Sequence, residues 1–175
     1  VSLTTTVSLE INVTIKCPLW AEALPVAAGL SLDAADAAYQ AALAQSKADD
    51  DHCVEASIVL ADDAFIRELN RDFRGLDEAT NVLSFSGLNE AGPGAGAPVL
   101  LGDIVVAYET AAAEADAARM CLADHLSHLV IHGMLHLLGH DHENEAEAAR
   151  MERLESQVLA SLGISGRRPE RGTEF

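Results

Sequence analysis

Positive charge is scarce in this chain. Eleven lysines and arginines stand against 28 aspartates and glutamates in 175 residues, a formal net charge of −17 at pH 7. Non-specific nucleic-acid binding is mostly phosphate neutralisation by Lys and Arg, so a broad basic face is excluded and RNA is repelled at long range. Aromatic residues make up 4%, and no RNA-binding module built on stacking aromatics is visible. The three cysteines, Cys17, Cys53 and Cys121, are scattered without a C-x-x-C pair. That excludes a disulfide framework and points to a reducing compartment; none sits in a recognisable nucleophile setting. No apolar run reaches the ~20 residues that span a membrane. No charged segment followed by an apolar core opens the chain, so a cytoplasmic protein without a membrane partner is expected. The glycines of Gly92-Pro93-Gly94-Ala95-Gly96 lack the G-K-[ST] ending of a phosphate loop and read as a flexible connection.

What is present is globular: 49% apolar residues, rich in alanine, in a length that suits one domain with an adequate core. Residues 1–165 read as that domain and 166–175 as a disordered tail. Val7 to Ile15 alternates as a strand. Residues 18–47 read as helix, broken near Pro25 and Gly29, with Ser31 capping the second piece. Cys53 to Leu60 reads as a strand, Asp62 to Phe73 as a helix capped by Asp62, Ala79 to Phe85 as a short strand, and Val99 to Ala107 as a β-branched strand. Helices follow at about 108–118, 121–138 and 143–162. The expected fold is α/β (α+β), a mixed sheet of roughly four strands flanked by helices, with the strand order left open.

The most informative segment is His132-Gly133-Met134-Leu135-His136-Leu137-Leu138-Gly139-His140-Asp141-His142. His132, His136 and His142 follow the spacing H-x3-H-x5-H. Positions i and i+4 share a helix face, so two imidazoles can grip one ion. Gly139 can end the helix in a left-handed turn, and His142 then returns as a third ligand. Three protein ligands leave one corner of a tetrahedral site open, the pattern of a catalytic zinc centre, here one ion per chain at the end of a buried helix. The flanking Leu122, Leu126, Leu129, Val130, Ile131, Met134 and Leu135 bury that helix, and buried imidazoles need partners.

The spacing and the glycine also occur in metzincin peptidases, where a glutamate general base follows the first histidine. Gly133 holds that position here, so a peptidase of this design lacks its proton carrier.

The histidine block resembles the signature of the YbeY family, bacterial rRNA maturation endoribonucleases. Leu69-Asn70-Arg71-Asp72-Phe73-Arg74-Gly75, Thr80-Asn81-Val82-Leu83-Ser84-Phe85 and Leu101-Gly102-Asp103-Ile104 resemble further blocks of that family in the same order. Together they cover roughly residues 55 to 145. Asn81 stands where many members carry aspartate, and Ser86 where proline is usual. The resemblance implies a metal-dependent hydrolase acting on RNA, in small-subunit rRNA 3′-end processing and ribosome quality control. It implies His132, His136 and His142 as zinc ligands and Arg74 as the functional arginine.

The chemistry is coherent. Zinc lowers the pKa of bound water from near 15.7 to about 7 and polarises phosphoryl oxygen. An arginine fork can clamp the charge that gathers in the transition state. Arg74 is the candidate, its alternative being a surface arginine at a helix end. Attack by zinc-bound hydroxide and attack by the RNA 2′-hydroxyl both remain open. Arg67, Arg71 and Arg74 share one helix face, opposite Phe65, Ile66, Leu69 and Phe73, and form either a solvated face or a phosphate track.

Asp141 can orient a ligand imidazole or cap the following helix. His140 reads as a bystander, His128 and His125 as hydrogen-bonded core histidines, His52 as a loop residue, and Asn70 as a brace for the loop before the next strand. The expected partners are rRNA and the ribosome or a small-subunit ribosomal protein that delivers the substrate to so acidic a chain; DNA is not expected. Two other readings stand beside the endoribonuclease: a ribosome-assembly binding factor with a structural zinc site, and the metzincin-like peptidase.

Overall fold

The computed structural model describes residues 8–46, 53–87, 98–140 and 144–165. Along these run β1 (Leu9–Ile15), α1 (Pro18–Ala23), α2 (Ala27–Gln45), β2 (Val54–Ala61), α3 (Asp63–Arg74), β3 (Val82–Ser86), β4 (Val99–Ala107), α4 (Tyr108–Ala117), α5 (Leu122–Leu137) and α6 (Glu145–Ser161). The strands form one mixed sheet in the order β1-β2-β4-β3. β1–β2 and β2–β4 are parallel, and β3 runs antiparallel to β4 as an edge strand. The expected four-stranded α+β architecture is therefore the one observed.

Alternation along the strands feeds two cores. Ile58, Leu60, Ile104 and Val106 meet Leu126, Val130 and Met134 of α5 and the alanines of α2 on one face. Ala61, Val105, Ala107 and Leu83 meet Ile66 of α3 on the other. α5 and α3 thus lie on opposite faces of the sheet. The alanine-rich α2 packs closely against α5, which explains how a helix with so few large side chains still buries Ala34, Ala35 and Ala38.

Two glycines set close approaches. Gly102 in β4 has φ of 135°, and a Cβ there would stand 1.9 Å from the Phe85 carbonyl oxygen, so the β3–β4 pairing admits no side chain at this point. Gly133 of α5 faces the sheet, where an added Cβ would lie 2.9 Å from Ile104 Cγ2 and 3.0 Å from Ser84 Oγ.

Several expectations need correction. Pro25 separates α1 from α2, but Gly29 breaks nothing. Ser31 is no cap: it lies buried inside α2, its hydroxyl donating to the Ala27 carbonyl at 2.8 Å. The third strand begins at Val82 rather than Ala79. Phe73 does not join the buried side of α3; it is 70% exposed and leans edge-to-face on Phe85, ring centroids 5.2 Å apart. Asp62 does cap α3, accepting from the Phe65 amide at 2.8 Å. The cap of α6 is Asn144, which accepts from the Glu147 amide. His52, the Gly92–Gly96 stretch, Asp141, His142 and residues 166–175 lie outside the described residues.

Candidate functional site

Helix α5 carries the histidines because its apolar residues bind it to the sheet and to α2, leaving one stripe turned towards α6. Its end is a left-handed glycine turn, as the sequence predicts. Gly139 has φ of 86°. Its amide donates to the His136 carbonyl, and the His140 amide donates to the Leu135 carbonyl, each at 3.0 Å. This paired closure satisfies the last carbonyls of the helix and turns the chain back immediately after His136.

His132 and His136 converge. Their Nε2 atoms are 3.0 Å apart and their rings cross nearly at right angles, centroids 4.6 Å apart. Zinc takes nitrogen ligands at about 2.0–2.1 Å, so two nitrogens on one ion stand on the order of 3 Å apart. The pair fits a shared metal. Among the described residues no group of three His, Cys, Asp or Glu side chains is gathered for a metal; the expected third ligand, His142, lies outside them.

One contributor to this cluster has no signal in the histidine spacing. Glu155 reaches in from α6 and sets Oε1 3.0 Å from His132 Nδ1 and 3.3 Å from His128 Nε2. Burial pushes its carboxyl up, but hydrogen bonds from His128 and His132 outweigh burial and hold it at about 2. A buried carboxylate of this kind needs such partners. Glu155 recurs at a helical offset from Met151, Leu154 and Val158, which are buried. That amphipathic stripe, read together with the histidine stripe, is the one sequence feature able to point to it.

A second polar network lies earlier on α5. Glu114 of α4 holds His125 Nε2 at 2.7 Å and accepts from Asn81 Nδ2 at 3.1 Å on both oxygens. Burial pushes Glu114 up, while hydrogen bonds from His125 and Asn81 hold it below the usual carboxylate range. Asn81 Oδ1 accepts from the Val82 amide at 2.7 Å. Asn81 is thus a brace at the start of β3, with its donor committed. His125 is a hydrogen-bonded core histidine, as expected, whereas His128 is half-buried beside Glu155.

The arginine face divides. Arg67 forms a paired contact with Asp77, 2.8 and 3.0 Å, and Arg71 binds Asp72 at 2.9 Å. The phosphate track loses two members to acids of the same chain. Arg74 is exposed at the end of α3 and makes no ion pair among the described residues. Asn70 braces the following loop by donating to the Glu78 carbonyl at 2.9 Å. Arg74 and the histidines occupy opposite faces of the sheet but flank one strand. His125 joins Asn81, at the start of β3, through Glu114, and Gly133 packs on Ser84. α5 therefore follows β3 in the same sense, and His136 comes level with its far end. Phe73, next to Arg74, touches Phe85 at that end.

The peptidase reading takes its general base from a carboxylate elsewhere in the chain, because position 133 does not supply one. A side chain at residue 133 would start against Ile104 and Ser84.

The family model described as Endoribonuclease YbeY matches residues 28–163. A curated protein of that name from Paramagnetospirillum magneticum is 54% identical over 162 residues, covering 91% of this chain and 95% of its own length. Its namesake from Bradyrhizobium sp. (strain BTAi1) is 48% identical over 136 residues, covering 75% of this chain and 80% of its own. A Thermotoga maritima protein solved in solution is 23% identical with a TM-score of 0.49, covering 89% of this chain and 91% of that one.

Proposed function

The chain belongs to the YbeY endoribonuclease family, and we propose on that premise that it cleaves RNA with a zinc ion held by His132, His136 and His142. It is an endoribonuclease of rRNA processing, and the reading adds the metal, its ligands and the arginine. The observation that carries it is the convergence of His132 and His136, Nε2 to Nε2 at 3.0 Å, immediately before a glycine turn that sends the chain back.

Zinc bound there supplies Lewis acidity and activated water. The protein's share is positioning. α5, locked into the core, holds two imidazoles in one geometry, so little reorganisation accompanies binding. Gly139 ends the helix in a left-handed turn directly after His136, and His142 is the proposed third ligand. Arg74 sits at the same end of β3 with its guanidinium committed to no carboxylate among the described residues, available for a phosphate oxygen. A fork of donors there stabilises the charge that develops as the phosphodiester bond breaks.

The acidity of the chain, −17 formal charges, supports delivery of the rRNA by the ribosome or one of its small-subunit proteins. Free RNA meets a repulsive surface, and the attraction is confined to the metal and Arg74. Among the described residues no helix is long and apolar enough to cross a membrane.

The test is metal content with coordination, alongside cleavage. One zinc per chain with three nitrogens and one solvent oxygen, and cleavage of a single-stranded RNA lost in His136→Ala while the circular dichroism spectrum is kept, is the expected result. A fourth protein ligand closing the site, with unfolding on metal removal, supports the structural-zinc assembly factor instead.

A further inference from the structure

We infer that Glu155 is a positioning residue for the metal site: it holds His132 in the tautomer that presents a lone pair at Nε2, and His128 holds Glu155 for that task. The inference rests on the reading that His132 ligates the metal.

The argument is one of hydrogen-bond inventory. A carboxylate only accepts. His132 Nδ1, which faces Glu155 Oε1 at 3.0 Å, must therefore carry hydrogen, and His128 Nε2 stands 3.3 Å from the same oxygen. A neutral imidazole with its proton on Nδ1 has its lone pair on Nε2, which is the atom turned towards His136. The 3.0 Å contact between the two Nε2 atoms then has His136 as donor. The two rings are not equivalent: His132 is set for ligation before any metal arrives, whereas His136 must move its proton away from Nε2.

Glu155 is well placed to impose this. Its side chain is 15% exposed, so its hydrogen bonds compete little with water. It comes from α6, separated in sequence by 23 residues from His132, and Met151, Leu154 and Val158 anchor that helix in the core. His128, one turn before His132 on the same face, binds the same oxygen and limits its rotation. A carboxylate behind a ligand imidazole fixes the ring and raises its basicity, and loss of such a partner typically costs 10–100-fold in metal affinity.

The test compares the full chain with its Glu155→Gln and His128→Gln variants, using zinc alone as the probe, in competition with a chromogenic chelator. Nitrogen-15 shifts of the metal-free chain report the imidazole tautomers directly. Glutamine keeps the size and one acceptor of Glu155, so α6 stays docked. We expect His132 in the Nδ1–H form in the wild type, zinc affinity lowered 10–100-fold in Glu155→Gln, and a smaller loss in His128→Gln. A wild-type His132 protonated at Nε2, or a Glu155→Gln chain that binds zinc as tightly as the wild type, overturns the positioning role alone. Unchanged affinity in His128→Gln overturns the part given to His128. A wild-type chain that takes up no zinc overturns the metal reading and this inference together.

Discussion

Gly133 and Ile104 stand so close that a single added carbon on the glycine would lie 2.9 Å from Ile104 Cγ2. Ile104 is fully buried and branched at Cβ, so it cannot swing aside as a long flexible side chain does. The contact fixes how near α5 comes to the edge of the sheet, and with it where His132 and His136 project. Overpacking a core costs typically 1–3 kcal/mol, and alanine recovers up to about 1 kcal/mol over glycine in a helix. Gly133→Ala is therefore expected to destabilise, by up to about 2 kcal/mol. Urea denaturation should show a lower midpoint with an unchanged slope. A variant more stable than the wild type would mean that the helix shifts freely. Gly133→Glu should cost more and should confer no peptide cleavage.

Asn81 donates to both oxygens of Glu114. In Asn81→Asp the donor becomes a second carboxylate, and like charges at this range disfavour ionisation. The loss in stability should be about 1–3 kcal/mol at neutral pH and should shrink as pH falls towards and through the ordinary carboxylate range, starting above it, as one acid takes up a proton. Thermal melts of both proteins across pH 3–8 measure this. A gap that does not narrow in acid would exclude charge repulsion as the cause.

Glu155 is held at about 2 against an ordinary value of 4.5. A carboxyl depressed by folding contributes stability above its unfolded value, and that contribution is lost as pH falls from about 4.5 towards 2. Its full size is on the order of 3 kcal/mol at most. The metal-free chain should lose this much between those limits, and Glu155→Gln should show a flatter acid limb. Equal acid profiles for the two chains would show that Glu155 is not the group responsible.

Arg67 and Arg74 share a helix face but not a role. The Arg67–Asp77 pair is more than half exposed, and such pairs are worth roughly 0–1 kcal/mol. Arg67→Ala should change stability by less than about 1 kcal/mol and leave RNA cleavage near wild type. Arg74→Ala should lower the cleavage rate on the order of 100-fold with no change in zinc content or melting temperature. Equal cleavage by the two variants would remove the clamp from Arg74.

Much of the fold is legible in the residues. β1 alternates with a period of two, Val99–Ala107 is rich in β-branched residues, and Asp62 marks the start of α3 because its side chain accepts from a free amide. Errors fall where a local rule yields to packing. Ser31 looks like a cap, yet α2 runs through it because its buried hydroxyl bonds back to Ala27. Phe73 falls on the apolar stripe of α3, yet that stripe extends past the end of the core. Arg67 finds Asp77 in the loop after α3, a contact that helical periodicity does not report, and Arg71 pairs with its own neighbour Asp72.

The site divides along the same line. Histidine spacing and a glycine turn are local properties, so H-x3-H followed by Gly139 was enough to bring His132 and His136 onto one face and to close the helix after them. Tertiary structure alone brought Glu155 against His132, turned position 133 into the sheet, and set Phe73, the neighbour of Arg74, against Phe85 of β3. Those relations join elements distant in sequence, and their geometry comes from how side chains fill space between helix and sheet, which no periodicity along one helix encodes.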